Sequence, residues 1–505
     1  MNIKKVIVIT SALSTWFSAA MAEVSLPNIF SDHMVLQRSQ ENPVWGKARI
    51  GESVTVRIQE QIHETVAGED GKWRIFLNPM EAGGPYQLTV SGEENELTFS
   101  DVLVGEVWFC SGQSNMQWAV GNSNDADVEV ATANYPEIRL LTIPMVGRQE
   151  PQENFEGEWK VCSPESVKWF SAVGYFFGRR LHNALEVPVG LIDNSWGGSA
   201  AEAWIPRDVL QEDPEYSEYL AEWDERIHGY TDEIHAEKKA AYQAWVDSGK
   251  PEPKQTAPRD QRHTQHRPGN IYYGMLYPTL GYGIRGVIWY QGETNATRPE
   301  SYTDLMTKLI HNWRLAWGQG EFPFYWVQLA DFKEEATAPE DHEWSYLREA
   351  QTRTLDNLDH VGQAVAIDVG EGRDIHPRNK QVVANRLARL ALANDYGFAM
   401  ASQSPRYSEA VFKDGYAEVR FDFISKGLYA FDTSEVNGFT IAGADMKFVN
   451  AEAEIISKDT VKIWSSEVPE PVAVRYAWAA NPDCNLYDRI GLPVTPFRTD
   501  SQPAR

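Results

Sequence analysis

Val102-Leu103-Val104-Gly105-Glu106-Val107-Trp108-Phe109-Cys110, followed after Ser111 by Gly112-Gln113-Ser114-Asn115-Met116, is the stretch on which the reading of this chain turns. The first part is a near-continuous apolar run, the pattern of a strand buried on both faces. A serine at the sharp end of such a strand, two residues after a glycine, is placed as a nucleophile. The small residues let the backbone turn tightly and let a carbonyl come close. The pattern is not Gly-x-Ser-x-Gly, so the ordinary α/β-hydrolase elbow does not apply. Taken alone, the pentapeptide reads equally as a polar strand-to-helix turn, and the rest of the chain decides between the two.

Four more apolar strand candidates lie downstream, at 187–193, 284–290, 322–330 and 363–369. Helical patterns at 167–184, 300–316, 343–357 and 379–393 fall between and after them. Apolar strands joined by helical crossovers predict an α/β region over 104–397, with a parallel sheet covered on both faces. Ligands of such sheets bind beyond the carboxyl ends of the strands. Residues 23–103 read as a small all-β, sandwich-like region: 53–59, 72–77 and 86–90 are strand candidates, with Asp70-Gly71 and Gly83-Gly84-Pro85 as turns. β character returns over 398–505, at 416–421, 439–441, 460–464 and 472–476. Residues 207–268 interrupt the α/β rhythm with Glu, Lys, Gln and Pro and interspersed aromatics. They read as one or two exposed helices and a polar loop, an insertion that packs on the surface or rims the site.

Each central strand ends in an unusual polar turn. The first supplies Ser114, the second Asn194-Ser195-Trp196-Gly197-Gly198-Ser199, the third Gln291-Gly292-Glu293-Thr294-Asn295, and the fifth Asp368 and then Gly370-Glu371-Gly372-Arg373-Asp374-Ile375-His376-Pro377. On one edge of a parallel sheet these supply the parts of acyl transfer: a hydroxyl, a base, a carboxylate and hydrogen-bond donors. Among 11 histidines, His376 is the base candidate, because it follows a strand end two residues after an aspartate. Asp374 either steadies its imidazole or caps the helix that follows. The oxyanion donors are the N–H groups of Ser114 and Gly198 and the side-chain amide of Gln291 or Asn295. Gln113, Trp196, Glu293 and Arg378, on the same turns, are candidate substrate contacts.

With 505 residues and 42% hydrophobic content, the chain is long enough for two to four domains and too apolar to be disordered. Its 72 acidic against 46 basic residues leave a net charge of -26, which argues against nucleic acid and anionic membrane surfaces as partners. Lys4-Lys5, the apolar Val6–Phe17 segment and Ala20-Met21-Ala22 read as a signal peptide ending at residue 22. The protein is therefore expected to be exported, to the periplasm or beyond. Cys110, on the strand before the serine, reads as a buried apolar residue; export also permits a disulfide, and whether Cys110 and Cys162 pair is left open. No cysteine–histidine cluster has zinc-site spacing, and no metal or cofactor is expected.

Taken together, Gly-Gln-Ser-Asn-Met, Asp-Asn-Ser-Trp-Gly-Gly, Trp-Tyr-Gln-Gly-Glu-Thr-Asn-Ala and Asp-Ile-His-Pro-Arg-Asn-Lys resemble the sialate O-acetylesterase family of SGNH hydrolases. The opening stretch Leu26–Gln37 and the closing stretch Gly491–Asp500 are similar to it as well. The resemblance implies a flavodoxin-like SGNH hydrolase core flanked by the two β regions, and metal-independent removal of O-acetyl groups from sugars. It implies Ser114 as nucleophile, His376 as base, and Gly198 with the Gln291/Asn295 turn as oxyanion donors. One departure stands out. The superfamily often carries its acid as Asp-x-x-His, whereas here Asp374 precedes His376 by two, so Asp368, Glu371 or a Ser–His dyad are the alternatives. For the substrate, a sialate carboxylate calls for an arginine, Arg373 or Arg378; an acetylated xylan calls for aromatic platforms. A non-catalytic carbohydrate-binding protein has no need of the serine and histidine.

Overall fold

In the computed structural model, which describes residues 23–503, one strand of 17 residues, Glu96–Gly112, organises the molecule. The segment read as a signal peptide lies outside the described residues. The first half of the strand pairs antiparallel with Gly83–Ser91, and Val35–Gln37 runs parallel beside Leu103–Gly105. From Val102 to Gly112 every residue is buried. Here the strand pairs in parallel with Val189–Ser195 on one side and Gly286–Tyr290 on the other. The strand predicted over 102–110 thus begins earlier and runs straight through position 103, where the sequence pattern changes from all-β to α/β.

Counted along the chain, Glu96–Gly112, Val189–Ser195, Gly286–Tyr290, Phe324–Val327 and Val361–Ala364 lie side by side in the order 2-1-3-4-5, all parallel. In this doubly wound order the winding reverses beside the first strand, opening a crevice at its carboxyl end. Alternate side chains explain the unbroken apolar run. Val107 and Phe109 face a core with Trp289, Trp313 and Phe324, whereas Trp108 and Cys110 face another with Phe177, Ile288 and Tyr325. Helices Tyr302–Trp317 and Glu343–Arg353 cover the first face, Ala172–Leu185 and Lys380–Asn394 the second.

Two strands on one flank of this sheet escaped the sequence reading: Tyr135–Thr142, parallel to Val189–Ser195, and beyond it the short antiparallel Lys160–Cys162 at the edge. The fifth strand stops at Ala364 rather than 369, because Val365 and Ile367 leave the sheet to join the apolar core of the C-terminal region. That region holds two four-stranded antiparallel sheets and a three-stranded one. Arg348, fully buried, stitches it on: its guanidinium donates to the carbonyls of Leu329, Ala330, Ala479 and Ala480. Within 207–268, helix Ser217–Ile227 buries Leu220 and Trp223, whereas Asp232–Asp247 buries none of its residues. Cys110 and Cys162 are free and buried in the same apolar core, Cys110 as the strand pattern implies, and they do not pair.

Candidate active site

Gly112 ends the central strand at φ +135°, a conformation that costs glycine little. A Cβ there would stand 2.2 Å from the Tyr290 carbonyl oxygen, so the two strand ends can close up only around a glycine. The same carbonyl accepts the Gln113 N–H at 2.9 Å. Gln113 is itself buried, and its Oε1 accepts from the N–H groups of Gly292 and Thr294. Through Oε1 it braces the turn.

Ser114 then opens the four-residue helix Ser114–Gln117. Its N–H is in the first helical turn and has no intrahelical acceptor. Its Oγ lies 2.8 Å from His376 Nε2. The imidazole stacks flat on Trp118, with centroids 4.9 Å apart and planes 10° apart. Burial pushes the His376 pKa below its usual value; the Asp374 charge opposes that shift and Lys380 adds to it. The ring is therefore neutral at neutral pH, the form that accepts a proton.

Asp374 Oδ1 accepts the His376 backbone N–H at 2.9 Å and stands 3.4 Å from Nδ1. Its side chain is 53% exposed. Of the alternative acids, Asp368 is spent on Arg386 and the Tyr487 hydroxyl, and Glu371 on Arg378.

The second strand end closes over the serine. Trp196 N–H donates to the Gly112 carbonyl at 3.0 Å, and Gly197 N–H to Gln117 Oε1 at 2.9 Å. A Cβ on Gly197 would press to 3.4 Å of Ser114 Cβ. Gly198 follows at φ +71°, half-buried, and among the described residues its N–H has no acceptor.

The side-chain donors differ from expectation. Gln291 is fully buried; its Nε2 donates to the Ser199 carbonyl and Asn295 Oδ1, and its Oε1 accepts from the Tyr302 hydroxyl. Asn295 is 1% exposed, donates to Glu202 and accepts from Ala201 N–H. Both Gln291 amide hydrogens and one of Asn295's are thus committed to fixing the turn, and the backbone N–H groups of Ser114 and Gly198 stand beside them as donors. Glu293 is corrected in the same way: its Oε1 accepts from Asn115 and its enclosed Oε2 makes no hydrogen bond of good geometry among the described residues. Sequence reasoning passed over Asn115, Trp118 and Lys380. Lys380 reads as an ordinary first residue of a helix, and nothing in its residue type announces full burial.

Residues 273–392 match the family model described as a carbohydrate esterase, sialic acid-specific acetylesterase. The sialate O-acetylesterases of Mus musculus and Homo sapiens are 29% and 28% identical, aligned over 92% of this chain and 92% and 91% of theirs. A carbohydrate acetylesterase of Xanthomonas citri, known from its crystal structure, is 37% identical, with a TM-score of 0.80 over 95% of this chain and 100% of that one. The chain belongs to the sialate O-acetylesterase family of carbohydrate esterases. It is a carboxylic ester hydrolase. In this esterase Trp196 is half-buried and packs against the core beneath the second strand end. Arg378, predicted to contact substrate, is held by both oxygens of Glu371, whereas exposed Arg373 has no ion-pair partner among the described residues. The tail of the 207–268 insertion reaches the oxyanion turn, where Gln265 Nε2 donates to the Gly197 carbonyl at 3.3 Å.

Proposed function

We propose that the protein is an exported serine O-acetylesterase of sugars with an SGNH-type core, acting through an acetyl-Ser114 intermediate. The observation that carries the reading is the 2.8 Å hydrogen bond between Ser114 Oγ and His376 Nε2, beside two unpartnered N–H groups. His376 takes the hydroxyl proton as Oγ attacks the acetyl carbonyl carbon. The carbonyl oxygen becomes an oxyanion, received by the N–H groups of Ser114 and Gly198. His376 passes its proton to the departing sugar oxygen, leaving acetyl-Ser114. A water deprotonated by His376 then attacks the acetyl carbon, and acetate leaves as Ser114 regains its proton. Trp118 holds the ring in plane through both halves, and Asp374 favours the imidazolium that forms twice per turnover. The 2-1-3-4-5 strand order supports the SGNH reading.

The substrate is an O-acetylated sugar, of the sialate type to which the family model and the mammalian relatives point. Acetylated plant polysaccharide is the second reading, since the Xanthomonas citri relative is described as a carbohydrate acetylesterase without mention of sialate. Ser114→Ala is expected to abolish hydrolysis of a chromogenic acetate ester while leaving the melting temperature unchanged; retained turnover removes Ser114 from the mechanism. Acetate release measured side by side on 9-O-acetyl sialic acid and acetylated xylan oligomers separates the two substrates.

A further inference from the structure

Behind the serine and histidine lies a polar group that the mechanism above does not use. Asn115, 1% exposed, directs Nδ2 to Glu293 Oε1 at 2.5 Å and to the Ile375 carbonyl at 3.0 Å, and its Oδ1 accepts from Lys380 Nζ at 2.5 Å. Both amide hydrogens and the carbonyl oxygen are used. We propose that Asn115 is the positioning residue of this site, and that Lys380 and Glu293 hold its carboxamide in the single orientation that brings His376 onto Ser114. The inference rests on the reading of Ser114 and His376 as nucleophile and base.

The geometry of one peptide unit carries the argument. The Ile375 carbonyl and the His376 N–H belong to the same plane. Asn115 Nδ2 holds it by the oxygen and Asp374 Oδ1 by the nitrogen. The residue that grips the base's backbone is the immediate neighbour of the nucleophile, so one side chain ties the two together. A carboxamide can turn over and exchange its nitrogen and oxygen. Turned over here, the oxygen would face the Glu293 carboxylate and the Ile375 carbonyl, and the NH₂ would face an ammonium. The Ile375 carbonyl, which can only accept, excludes that orientation at any charge state of Lys380 and Glu293, and the two ions reinforce it when both are charged.

The cost of the arrangement indicates that it is more than packing. Lys380 is fully buried, with the Tyr290 ring 5.3 Å from its Nζ and Asn115 as its hydrogen-bond acceptor. Its charge is further faced by Glu371 and Asp374 on the loop before it. Burial pushes the Lys380 pKa down to about 7 and the Glu293 pKa up. Among the described residues Glu293 Oε2 makes no hydrogen bond of good geometry. Sparsely satisfied buried ions are expensive, and apolar residues in their place are often neutral or stabilising. Perturbed ionisable groups of this kind cluster at functional sites.

The test uses the whole protein and two readouts: the rate at which a fluorophosphonate probe modifies Ser114, and kcat and KM on p-nitrophenyl acetate. Asn115→Ala is expected to slow labelling and lower kcat about 100-fold, with KM changed by no more than about threefold, the signature of a misplaced base. The double variant Lys380→Met/Glu293→Leu removes both ions together, so it is expected to melt at or above the parent temperature while losing rate about tenfold or more. Labelling within about threefold of the parent in either folded variant overturns the proposal. Ser114→Ala accompanies both: if it is still labelled at the parent rate, the nucleophile assignment fails instead.

Discussion

Replacing Asp374 by Asn is the perturbation for which the structure sets the tightest bound. The carboxylate stands 3.4 Å from His376 Nδ1, longer than a hydrogen bond, and is 53% exposed. At that separation two unit charges attract by about 1 kcal/mol in bulk water and about 5 kcal/mol at an effective dielectric of 20. Exposure puts this pair near the watery limit, at about 1–2 kcal/mol of support for the imidazolium. With tenfold in rate for every 1.4 kcal/mol or so, Asp374→Asn is expected to lower kcat about 5- to 30-fold. A buried triad aspartate is worth about 10⁴, so this is an attenuated third member. The pH profile provides an independent sign. The neutral ring is the active base, so kcat/KM falls as pH drops through the His376 pKa. The Asp374 charge raises that pKa; removing it moves the acid limb to lower pH and makes the deficit smaller in acid than at pH 8. Steady-state kinetics on p-nitrophenyl acetate from about pH 4.5 to 9 read both. A loss beyond about a thousandfold, or an acid limb displaced upward, refutes the reasoning and makes Asp374 a full triad acid in the working enzyme.

Three further outcomes follow from the same geometry. Gly112→Ala puts a Cβ 2.2 Å from the Tyr290 carbonyl at φ +135°; it is expected to cost at least about 1–3 kcal/mol in urea unfolding and to lose esterase activity, and a variant of parental stability contradicts the close approach. Gln291→Ala leaves the Ser199 carbonyl without its donor and the Tyr302 hydroxyl with the residue 291 backbone carbonyl alone, at 3.2 Å, so it should cost about 1–3 kcal/mol of stability but less than about tenfold in kcat; a loss of about 10²–10³ at unchanged melting temperature would restore Gln291 as an oxyanion donor. Arg348→Met takes a donor from four carbonyls and leaves two of them, Leu329 and Ala479, without another among the described residues, since Ala330 keeps Trp344 Nε1 and Ala480 keeps the Phe332 N–H; it is expected to cost about 2–3 kcal/mol or more, read as earlier proteolysis beyond residue 400, and unchanged proteolysis shows that the C-terminal region is held otherwise.

The sequence was most informative where burial is two-sided. The central strand, its parallel neighbours and their helices are legible because a strand covered on both faces must be apolar nearly throughout, as Val102–Cys110 is apart from Glu106, whose carboxylate is paired by Arg38. Strands toward the edge carry no such requirement. Tyr135–Thr142 opens with exposed Pro136 and Glu137, and Lys160–Cys162 is too short for any period to register. The fifth strand was overrun because apolar Val365 and Ile367 serve the core of the C-terminal region instead of the sheet. A run of apolar residues says that something covers it, not what.

At the site the same distinction separates what residue types reveal from what they conceal. Serine and histidine are chosen for their chemistry, so their places at strand ends are informative. Oxyanion donors are different, since any backbone N–H serves, and the ones that do are those left without an acceptor. Gln291 and Asn295 attracted attention because amides can donate, yet burial had already assigned their hydrogens to Ser199 and Glu202. Gly198 and Ser114 keep free N–H groups because a left-handed glycine and a helix's first turn provide no acceptor for them. Lys380 makes the converse case. A lysine at the start of a helix is usually solvated, and this one is enclosed only because the Asn115 amide and the Tyr290 ring lie directly over it. Its role is therefore a property of three elements meeting, and it becomes visible only once the sheet brings residues 115, 290 and 380 together.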